Sequence, residues 1–250
     1  MSGDDTKVKI LGIVGTPIKD GNCQYILEEA LRTAEEEGHA EIELIHLEDY
    51  RIEYCIGCEG CLRNVHRLQK KIGFDVIPVP VKEYNCTIQD DMEIIHKKMF
   101  EADGIILAAP VYIATVPGQV KTFIDRCRTF VHDYRLRGKT SAPLTVAFYR
   151  NAGEDTTLQM MIISLLAIGL SVVAFGASTV STKEGAGELI KDTRFAVKDD
   201  WLGMAAVKGV GSQVAQSALH VKTGKRALDE AGIKLSPQPW FVFPESNITA

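Results

Sequence analysis

Short apolar runs alternate with helical patterns along most of the chain, and this alternation restricts the possible folds more than any other feature. The runs Val8–Val14 (VKILGIV) and Gly104–Ala109 (GIILAA) are aliphatic and end at Gly15 and Pro110, as buried strands do. Predicted strands cover residues 8–14, 42–47, 104–109, 144–149 and 171–175, and predicted helices cover residues 22–38, 92–102, 118–134, 156–168 and 200–230. Five strands that alternate with helices predict an α/β fold with a doubly wound parallel sheet.

Composition and charge fit one globular domain. The 250 residues are 46% apolar and 24% charged, and no low-complexity linker divides them. We therefore expect one domain over residues 1–250, with an insertion at 62–85 and a C-terminal helix and tail at 199–250. A formal net charge of −5 disfavours nucleic acid or a membrane surface as the main partner. The acidic N-terminus does not resemble a secretory signal, so we expect a cytoplasmic protein.

One uncharged stretch approaches the length of a membrane span. Residues 156–182 carry no charge, and residues 160–175 are strongly apolar, which is close to the roughly 17–25 residues that cross a bilayer. The other interpretation divides the stretch at Gly169 into a covered helix and a buried strand. We favour the second, because the remaining segments already require such a sheet.

Unusual loops follow the predicted strands at their carboxyl ends, where open α/β sheets bind ligands. The loop Gly15–Cys23 opens a helix, and its small residues with Thr16, Lys19 and Asn22 could bind an anion. Residues 110–117 set Tyr112 between two prolines, which suits a flat heteroaromatic ring. Residues 150–157 could close over the same crevice. Each loop could instead be an ordinary turn, with Tyr112 packed on a helix or with Asp155 or Thr156 as a helix cap.

Three closely spaced cysteines follow the second strand. Cys55, Cys58 and Cys61 have the Cys-x2-Cys-x2-Cys spacing of a bacterial ferredoxin run. Structural zinc sites more often use two separated pairs, so the triplet favours an iron–sulfur cluster. Cys86 is the next cysteine and directly precedes the run Thr87–Met92, which is interpreted as a helix start. Zinc, a redox-active thiol set and cysteines without a function remain the alternatives.

These motifs together resemble the iron–sulfur flavoproteins of the NADPH-dependent FMN reductase superfamily, over roughly residues 8–175. Gly15-Thr16-Pro17 with Gly21-Asn22-Cys23 resembles the family's phosphate loop, and Pro110-Val111-Tyr112 resembles its ring-binding segment. Residues 121–126 resemble the helix that follows, and residues 152–157 a third loop in which Glu154 replaces the usual glutamine. The resemblance implies a flavodoxin-like sheet of order 2-1-3-4-5. The predicted FMN-binding residues are Thr16, Pro17, Lys19, Gly21, Asn22, Cys23, Pro110, Val111, Tyr112, Ile113, Ala114, Thr115, Asn151, Ala152 and Gly153.

The same resemblance implies a [4Fe–4S] cluster on Cys55, Cys58, Cys61 and Cys86. The family's fourth cysteine normally comes sooner, so residues 62–85 are interpreted as an insertion before it, with His66 and Cys127 as remote substitutes for a missing ligand. Such a protein would take electrons from ferredoxin or NAD(P)H and pass them to a quinone, oxygen or peroxide, as a homodimer or homotetramer. No residue is predicted as a catalytic acid or base.

Two other functions fit the sequence. One is a cluster-free NAD(P)H-dependent FMN or quinone reductase whose cysteines hold zinc or act as thiols; the other is a redox or metal sensor with a flavin-binding fold. The first half of the insertion is basic. It could be a solvated arm, a subunit contact or a docking site for an acidic ferredoxin. The tail aromatics Trp240, Phe241 and Phe243 are expected to pack on a neighbouring surface.

Overall fold

A parallel sheet with helices on both faces forms the centre of the molecule. The computed structural model describes residues 7–72, 85–133, 135–191 and 193–235, with the backbone alone at residues 68–72 and 133. The strands are β1 Val8–Val14, β2 Ala40–His46, β3 Gly104–Pro110, β4 Thr140–Ala147, β5 Ser171–Val172 and β6 Ala177–Val180. Their order is β2-β1-β3-β4-β5, and β6 also pairs with β4. The predicted fold class and strand order are therefore confirmed.

Seven α-helices and two short 3-10 helices connect these strands in the described part of the chain. The α-helices are α1 Asn22–Gly38, α2 Gly60–Ile72, α3 Met92–Glu101, α4 Gly118–Arg126, α5 Arg128–Asp133, α6 Glu154–Ala167 and α7 Trp201–Glu230, and the 3-10 helices are Leu47–Asp49 and Thr193–Asp199. No helix among them is long and apolar enough to cross a membrane. The uncharged stretch divides at Gly169, as predicted, into α6 and then β5.

The alternation of side chains along the strands divides the core between the two faces of the sheet. Val8, Ile10 and Val14 of β1 pack toward α1 and α7, whereas Leu11 and Ile13 join the core formed with α3, α4, α5 and α6. Strands covered on both faces explain the near-continuous apolar runs of the sequence.

Small residues let α7 cross closely over α1. A Cβ atom on Gly211 would lie 2.0 Å from the Ala30 carbonyl oxygen, and one on Gly38 would lie 2.3 Å from the Ala215 Cβ. Side chains at these two glycines would force the helices apart, so the glycines fix their separation.

The fifth strand is interrupted, which corrects the prediction of a continuous strand over residues 171–175. In the parallel register of β4 with β5, the Val173 N–H donates to Ser141 O at 3.0 Å. The next donor, to Val173 O, would be the N–H of Pro143, and proline has none. Val173 O instead accepts from the Gln213 side chain at 2.6 Å. Pairing resumes at Ala177, after Gly176 with a φ of 103°.

Two other predicted elements differ from the structure by more than two residues, and the remaining boundaries differ by two residues at most. The helix predicted over residues 118–134 ends at Arg126 and restarts at Arg128, with a turn at Cys127. The strand predicted from Leu144 begins at Thr140 and ends before the exposed Phe148 and Tyr149. The insertion begins as α2, while its residues 73–84 and the aromatic tail, 236–250, lie outside the described residues.

Candidate functional site

A cavity of about 360 Å³ opens at the carboxyl edge of the sheet, where the loops after β1, β3 and β4 meet. This is the point where the strand order reverses, between β1 and β3. The cavity brings together seven of the predicted residues: Thr16, Gly21, Asn22, Cys23, Pro110, Val111 and Tyr112. The other predicted residues do not line it. Seven lining residues were missed by the sequence analysis: Ile18, Val146, Ala147, Phe148, Ser181, Thr193 and Arg194.

The N-terminus of α1 borders this cavity without a side-chain cap. Gly21 is the N-cap residue and has no side chain to accept from the first-turn N–H groups. The buried Thr16 hydroxyl accepts from the N–H of Ile18 at 3.2 Å, which orders the loop before the helix. Uncapped N–H groups and the positive end of the helix dipole favour an anion here.

Two polar side chains predicted to contact that anion bond elsewhere. Asn22 Nδ2 donates to Thr193 O at 2.7 Å, and Asn22 Oδ1 accepts from the Val197 N–H at 3.1 Å. The Lys19 ammonium pairs with Asp49. Asn22 therefore fastens the 3-10 helix Thr193–Asp199 to the loop, and the charge of Lys19 is partly neutralised outside the cavity.

Arg194 brings a positive charge to the cavity instead. It lines the cavity, and its Nη2 donates to Lys19 O at 3.2 Å. Because Arg194 is more than 170 residues from the loop along the chain, local sequence patterns carry no signal for this contact.

The turn after β3 has a strained backbone. Tyr112 and Thr115 exchange backbone hydrogen bonds at 2.8 and 3.1 Å, which closes a four-residue turn. Ile113 and Ala114, its central residues, have φ values of 47° and 60°. A β-branched residue rarely takes a positive φ, and such strain concentrates at functional sites. Ile113 is 98% exposed, so the turn presents an apolar side chain beside the cavity.

The loop after β4 packs closely against this turn. Gly153 has a φ of 105°, and a Cβ atom there would lie 2.5 Å from the Ala114 Cα. Gly153 also occupies the N-cap position of α6 without a side-chain bond, so the possible caps Asp155 and Thr156 do not serve as caps. The buried Glu154 accepts from the Asn151 N–H at 2.9 Å. Residues 150–157 of this loop therefore brace the Tyr112–Thr115 turn and do not line the cavity.

Aromatic side chains form part of the cavity rim. Tyr112 and Phe148 both line the cavity and are 43% and 49% exposed. Phe148 meets Tyr149 edge to face, with 6.3 Å between the ring centroids. Partly exposed rings of this kind are suited to contact a flat aromatic ligand.

The cysteine loop, residues 51–59, is irregular and is tied to the start of α3 by two carboxylates. Asp91 Oδ2 accepts from the Arg51 N–H, and Asp90 Oδ2 accepts from the Glu53 N–H, both at 2.8 Å. Asp90 Oδ1 also accepts from the Met92 N–H, so Asp90 joins the cysteine loop to the first turn of α3.

Arg126 at the end of α4 joins this assembly from the core. Its side chain and that of Asp90 are each 1% exposed, and the two form a bidentate ion pair. Arg126 also donates to Glu53 O at 2.7 Å and to Cys86 Sγ at 3.7 Å. Burial raises the pKa of the Asp90 carboxyl, but hydrogen bonds and the charge of Arg126 outweigh burial and leave that pKa below its ordinary value.

The fourth predicted cluster cysteine lies beside the triplet despite its distance along the chain. Thr87 Oγ1, next to Cys86, lies 3.0 Å from Cys58 Sγ, and the Asn85 side chain donates to Cys61 O at 3.0 Å. The Thr87 hydrogen bond lowers the pKa of Cys58, whereas burial, with the charge of Cys86, raises that of Cys61. Cys55 is exposed.

The donor set fits an iron–sulfur cluster in its chemistry, because the four thiols belong to the cysteine loop, the first turn of α2 and the segment before α3 that is bonded to them. Within the described residues, however, no three His, Cys, Asp or Glu side chains are grouped closely enough to hold a metal ion. The ligand set of Cys55, Cys58, Cys61 and Cys86 therefore stays a prediction.

The remaining cysteines are buried in the core. Cys23 and Cys127 are 4% and 0% exposed, and burial raises the pKa of each thiol. Cys127 belongs to the core between the sheet and α3–α6, which does not suit it as a substitute ligand. Burial also lowers the pKa of His96 to about 3, which keeps this histidine neutral.

The parallel sheet with a cavity at its switch point defines a flavodoxin-like α/β protein. Residues 8–186 match the sequence profile of the NADPH-dependent FMN reductase family, and the chain belongs to that family. It is therefore a flavin-dependent oxidoreductase with FMN as its cofactor.

Similar sequences in archaea are iron–sulfur flavoproteins. One from Methanocaldococcus jannaschii is 33% identical over 216 residues, which cover 86% of this chain and 100% of the relative. Another from Archaeoglobus fulgidus is 29% identical over 218 residues, 86% of this chain and 98% of the relative.

Solved structures share the fold at low sequence identity. RosB, in complex with an 8-demethyl-8-formylriboflavin 5'-phosphate intermediate, superposes with a TM-score of 0.62 and 15% identity, over 97% of this chain and 93% of its own. An NAD(P)H:quinone oxidoreductase from Methanothermobacter marburgensis superposes with a TM-score of 0.53 and 14% sequence identity. The match covers 82% of this chain and 96% of that protein.

Proposed function

We propose that this protein passes electrons from ferredoxin or NAD(P)H to a small acceptor such as a quinone, oxygen or peroxide, through FMN and a [4Fe–4S] cluster. The observation that carries the proposal is the cavity between the uncapped α1 N-terminus and the strained Tyr112–Thr115 turn. It offers an anion site at one border and partly exposed aromatic rings at another, as FMN requires.

The phosphate of FMN would bind at the start of α1. Gly21, Asn22 and Cys23 would contribute backbone N–H groups, and Arg194 would add a cation at the mouth of the cavity. Asn22 would act indirectly, because both polar atoms of its side chain hold the segment that carries Arg194.

The ring system of FMN would lie along the Pro110–Tyr112 segment and Phe148. A turn with two residues at positive φ costs free energy to hold, and Gly153 behind Ala114 lets the chain maintain it. A backbone fixed in advance binds a flat ring with little further loss of entropy.

The cluster would be held by Cys55, Cys58, Cys61 and Cys86. The contact between Thr87 and Cys58 and the bond from Asn85 to Cys61 O support this set, because they hold the segment that carries Cys86 against the cysteine loop and the first turn of α2. A cluster passes single electrons, whereas FMN can also deliver two at once.

Exposed apolar residues beside both sites support a homodimer or homotetramer. Tyr54 and Ile56 in the cysteine loop are 76% and 71% exposed, and Ile113 at the cavity is 98% exposed. Apolar side chains exposed together are typical of a subunit contact. The free cysteines of the described chain fit a reducing compartment, and a cytoplasmic location is part of the proposal.

The test is the content of FMN, iron, zinc and acid-labile sulfide per chain, after anaerobic purification. We expect one FMN and four each of iron and sulfide, as a [4Fe–4S] cluster contains. Cys86→Ala should lose the iron and sulfide and keep FMN, while Cys127→Ala, the buried control, should keep all three.

Each other outcome removes a defined part of the proposal. Full iron and sulfide in Cys86→Ala would exclude Cys86 as a ligand. Zinc without sulfide in the wild-type protein would favour the cluster-free reductase. Reduction of bound FMN by ferredoxin or NAD(P)H, without turnover of any acceptor, would favour a sensor.

A further inference from the structure

A second, strongly basic cleft lies at the opposite edge of the sheet from the flavin cavity. It has a volume of about 490 Å³ and lies between the turn before β4 and the C-terminal half of α7. Asp103 and Lys139 line it and directly precede β3 and β4. Because strands of seven residues rise about 3.3 Å per residue, roughly 20 Å separates the cleft from the flavin cavity.

The charge of this cleft contrasts with that of the whole chain. Among the described residues, six cationic side chains and two acidic ones line the cleft, whereas the whole chain has a formal net charge of −5. The cations are Arg135, Arg137, Lys139, Lys222, Lys225 and Arg226. Cations gathered around one concavity repel each other, and a bound anion would relieve that repulsion.

Two cations of the cleft have described partners inside it, and Arg226 pairs with Glu230 beside it. Asp103 accepts from Lys222 Nζ at 3.2 Å and also from the Lys9 N–H at 3.0 Å. Lys139 Nζ donates to two uncharged acceptors, the carbonyl oxygens of Phe100 and Ala102. Burial lowers the pKa of Lys139 to about 8; Asp103 opposes this shift and Lys225 reinforces it.

The cleft is also built to keep its cations in place. Arg135 is 8% exposed, with its guanidinium carbon 5.3 Å from the ring centre of Phe130. Gly138 has a φ of 78°, and a Cβ atom there would lie 2.9 Å from Lys225 Nζ. The absent side chain therefore lets the ammonium of α7 approach the turn before β4.

We propose that this cleft binds a polyphosphate chain, either inorganic or carried by a nucleotide, at a site separate from FMN. Guanidinium groups bind phosphate oxygens in pairs, and the ammonium groups add point charges. The cations surround a concavity of ligand size, which suits a small polyanion better than a flat protein surface. No aromatic residue is among the described residues of the lining, so the proposal concerns recognition of the phosphates.

The probe is inorganic triphosphate, titrated calorimetrically into the full-length protein saturated with FMN, so that the flavin cavity is already filled. We compare the double variant Arg137→Gln/Lys225→Gln with Lys121→Gln/Lys208→Gln, which removes two exposed cations elsewhere. The first should weaken binding roughly tenfold or more, and the control less than twofold.

ATP and inorganic phosphate complete the test. Equal affinities for ATP and triphosphate would support recognition of the phosphate chain itself, and tighter ATP binding would support a nucleotide as its source. The proposal is wrong if triphosphate does not bind, if both double variants bind it equally, or if inorganic phosphate binds as tightly. Binding of an acidic protein or DNA without any small polyphosphate would also overturn it.

Discussion

Replacement of Arg126 by methionine tests how the core holds the cysteine loop. Arg126→Met keeps an unbranched side chain but removes both bonds to Asp90 and the bond to Glu53 O. Because the Asp90 and Arg126 side chains are each 1% exposed, the variant leaves a buried carboxylate without its counter-ion. Loss of one partner from such a pair costs about 3–5 kcal/mol, a large share of the roughly 5–15 kcal/mol that stabilises most domains.

The pH dependence of the free energy of unfolding separates the loss of the Asp90 counter-ion from a simple packing defect. In the wild-type protein the pKa of Asp90 is lowered in the folded state. The contribution of Asp90 to the free energy of unfolding is therefore complete above its pKa in the unfolded chain, near 4, and is lost as the pH falls through its pKa in the folded protein. In Arg126→Met burial is opposed only by the N–H groups of Glu53 and Met92 and should raise that pKa. The variant then takes up a proton on folding in mild acid, and its deficit should shrink by about 1 kcal/mol or more between pH 7 and pH 5.

The assay is urea unfolding of FMN-saturated protein, followed by circular dichroism at both pH values. Arg128→Met is the matched control, because Arg128 pairs with Glu59 at 3.2 Å on the surface, where such pairs contribute about 0–1 kcal/mol. Similar costs for Arg126→Met and Arg128→Met, or a deficit that is independent of pH, would refute the reasoning.

Three further predictions concern the flavin cavity and the core. Arg194→Gln should weaken FMN binding roughly tenfold in a fluorescence titration without changing riboflavin binding, whereas Lys19→Gln should change neither, since Lys19 pairs with Asp49; a larger loss in Lys19→Gln would contradict the placement of the charges. Gly153→Ala should weaken FMN binding and destabilise the fold by about 1–3 kcal/mol, because its Cβ would meet Ala114. Gly187→Ala, with a similar positive φ and open space around it, should leave FMN binding unchanged, and equal effects on FMN would point to the backbone alone. Since the pKa of the buried His96 is lowered to about 3, the unfolded chain alone binds its proton below pH 6.5. Between pH 6.5 and 5, the free energy of unfolding should therefore fall by about 2 kcal/mol less in His96→Gln than in the wild-type protein. If urea unfolding gives the same pH dependence of this free energy for both proteins, the assignment to His96 is excluded.

The layers of the fold could be predicted from the sequence because each buried strand is itself a short run of apolar residues. The run Val8–Val14 and the helix Asn22–Gly38 have the bounds of β1 and α1. The interruption of the fifth strand was missed because its cause lies in another strand, where Pro143 lacks the donor that Val173 needs. A pattern within one segment does not record the hydrogen bonds that its neighbour is able to make.

The break between α4 and α5 was missed for a different reason. Phe123, Cys127 and Phe130 are all buried, at spacings of four and three residues, so the helical periodicity continues across the turn at Cys127. Burial of this face fixes the apolar pattern whether or not the backbone hydrogen bonds are continuous.

The site was predicted in its position more than in its contacts. Because β1 and β3 are parallel neighbours in the predicted sheet, their carboxyl ends lie side by side, and the cavity is at this position. The roles of Asn22 and Lys19 depend on partners that a local motif does not reveal, since Asn22 bonds to residues 171 and 175 positions away. Arg194 belongs to the same distant segment.

The interruption between β5 and β6 also affects how copies of this chain could associate. A regular outer strand offers a row of N–H and C=O groups on which another polypeptide can extend the sheet, with a risk of fibrous aggregation. Here two residues of β5 and four of β6 are separated by a bend at Gly176. This margin is a poor template for such an extension, so we expect ordered self-association to rely on helices and loops.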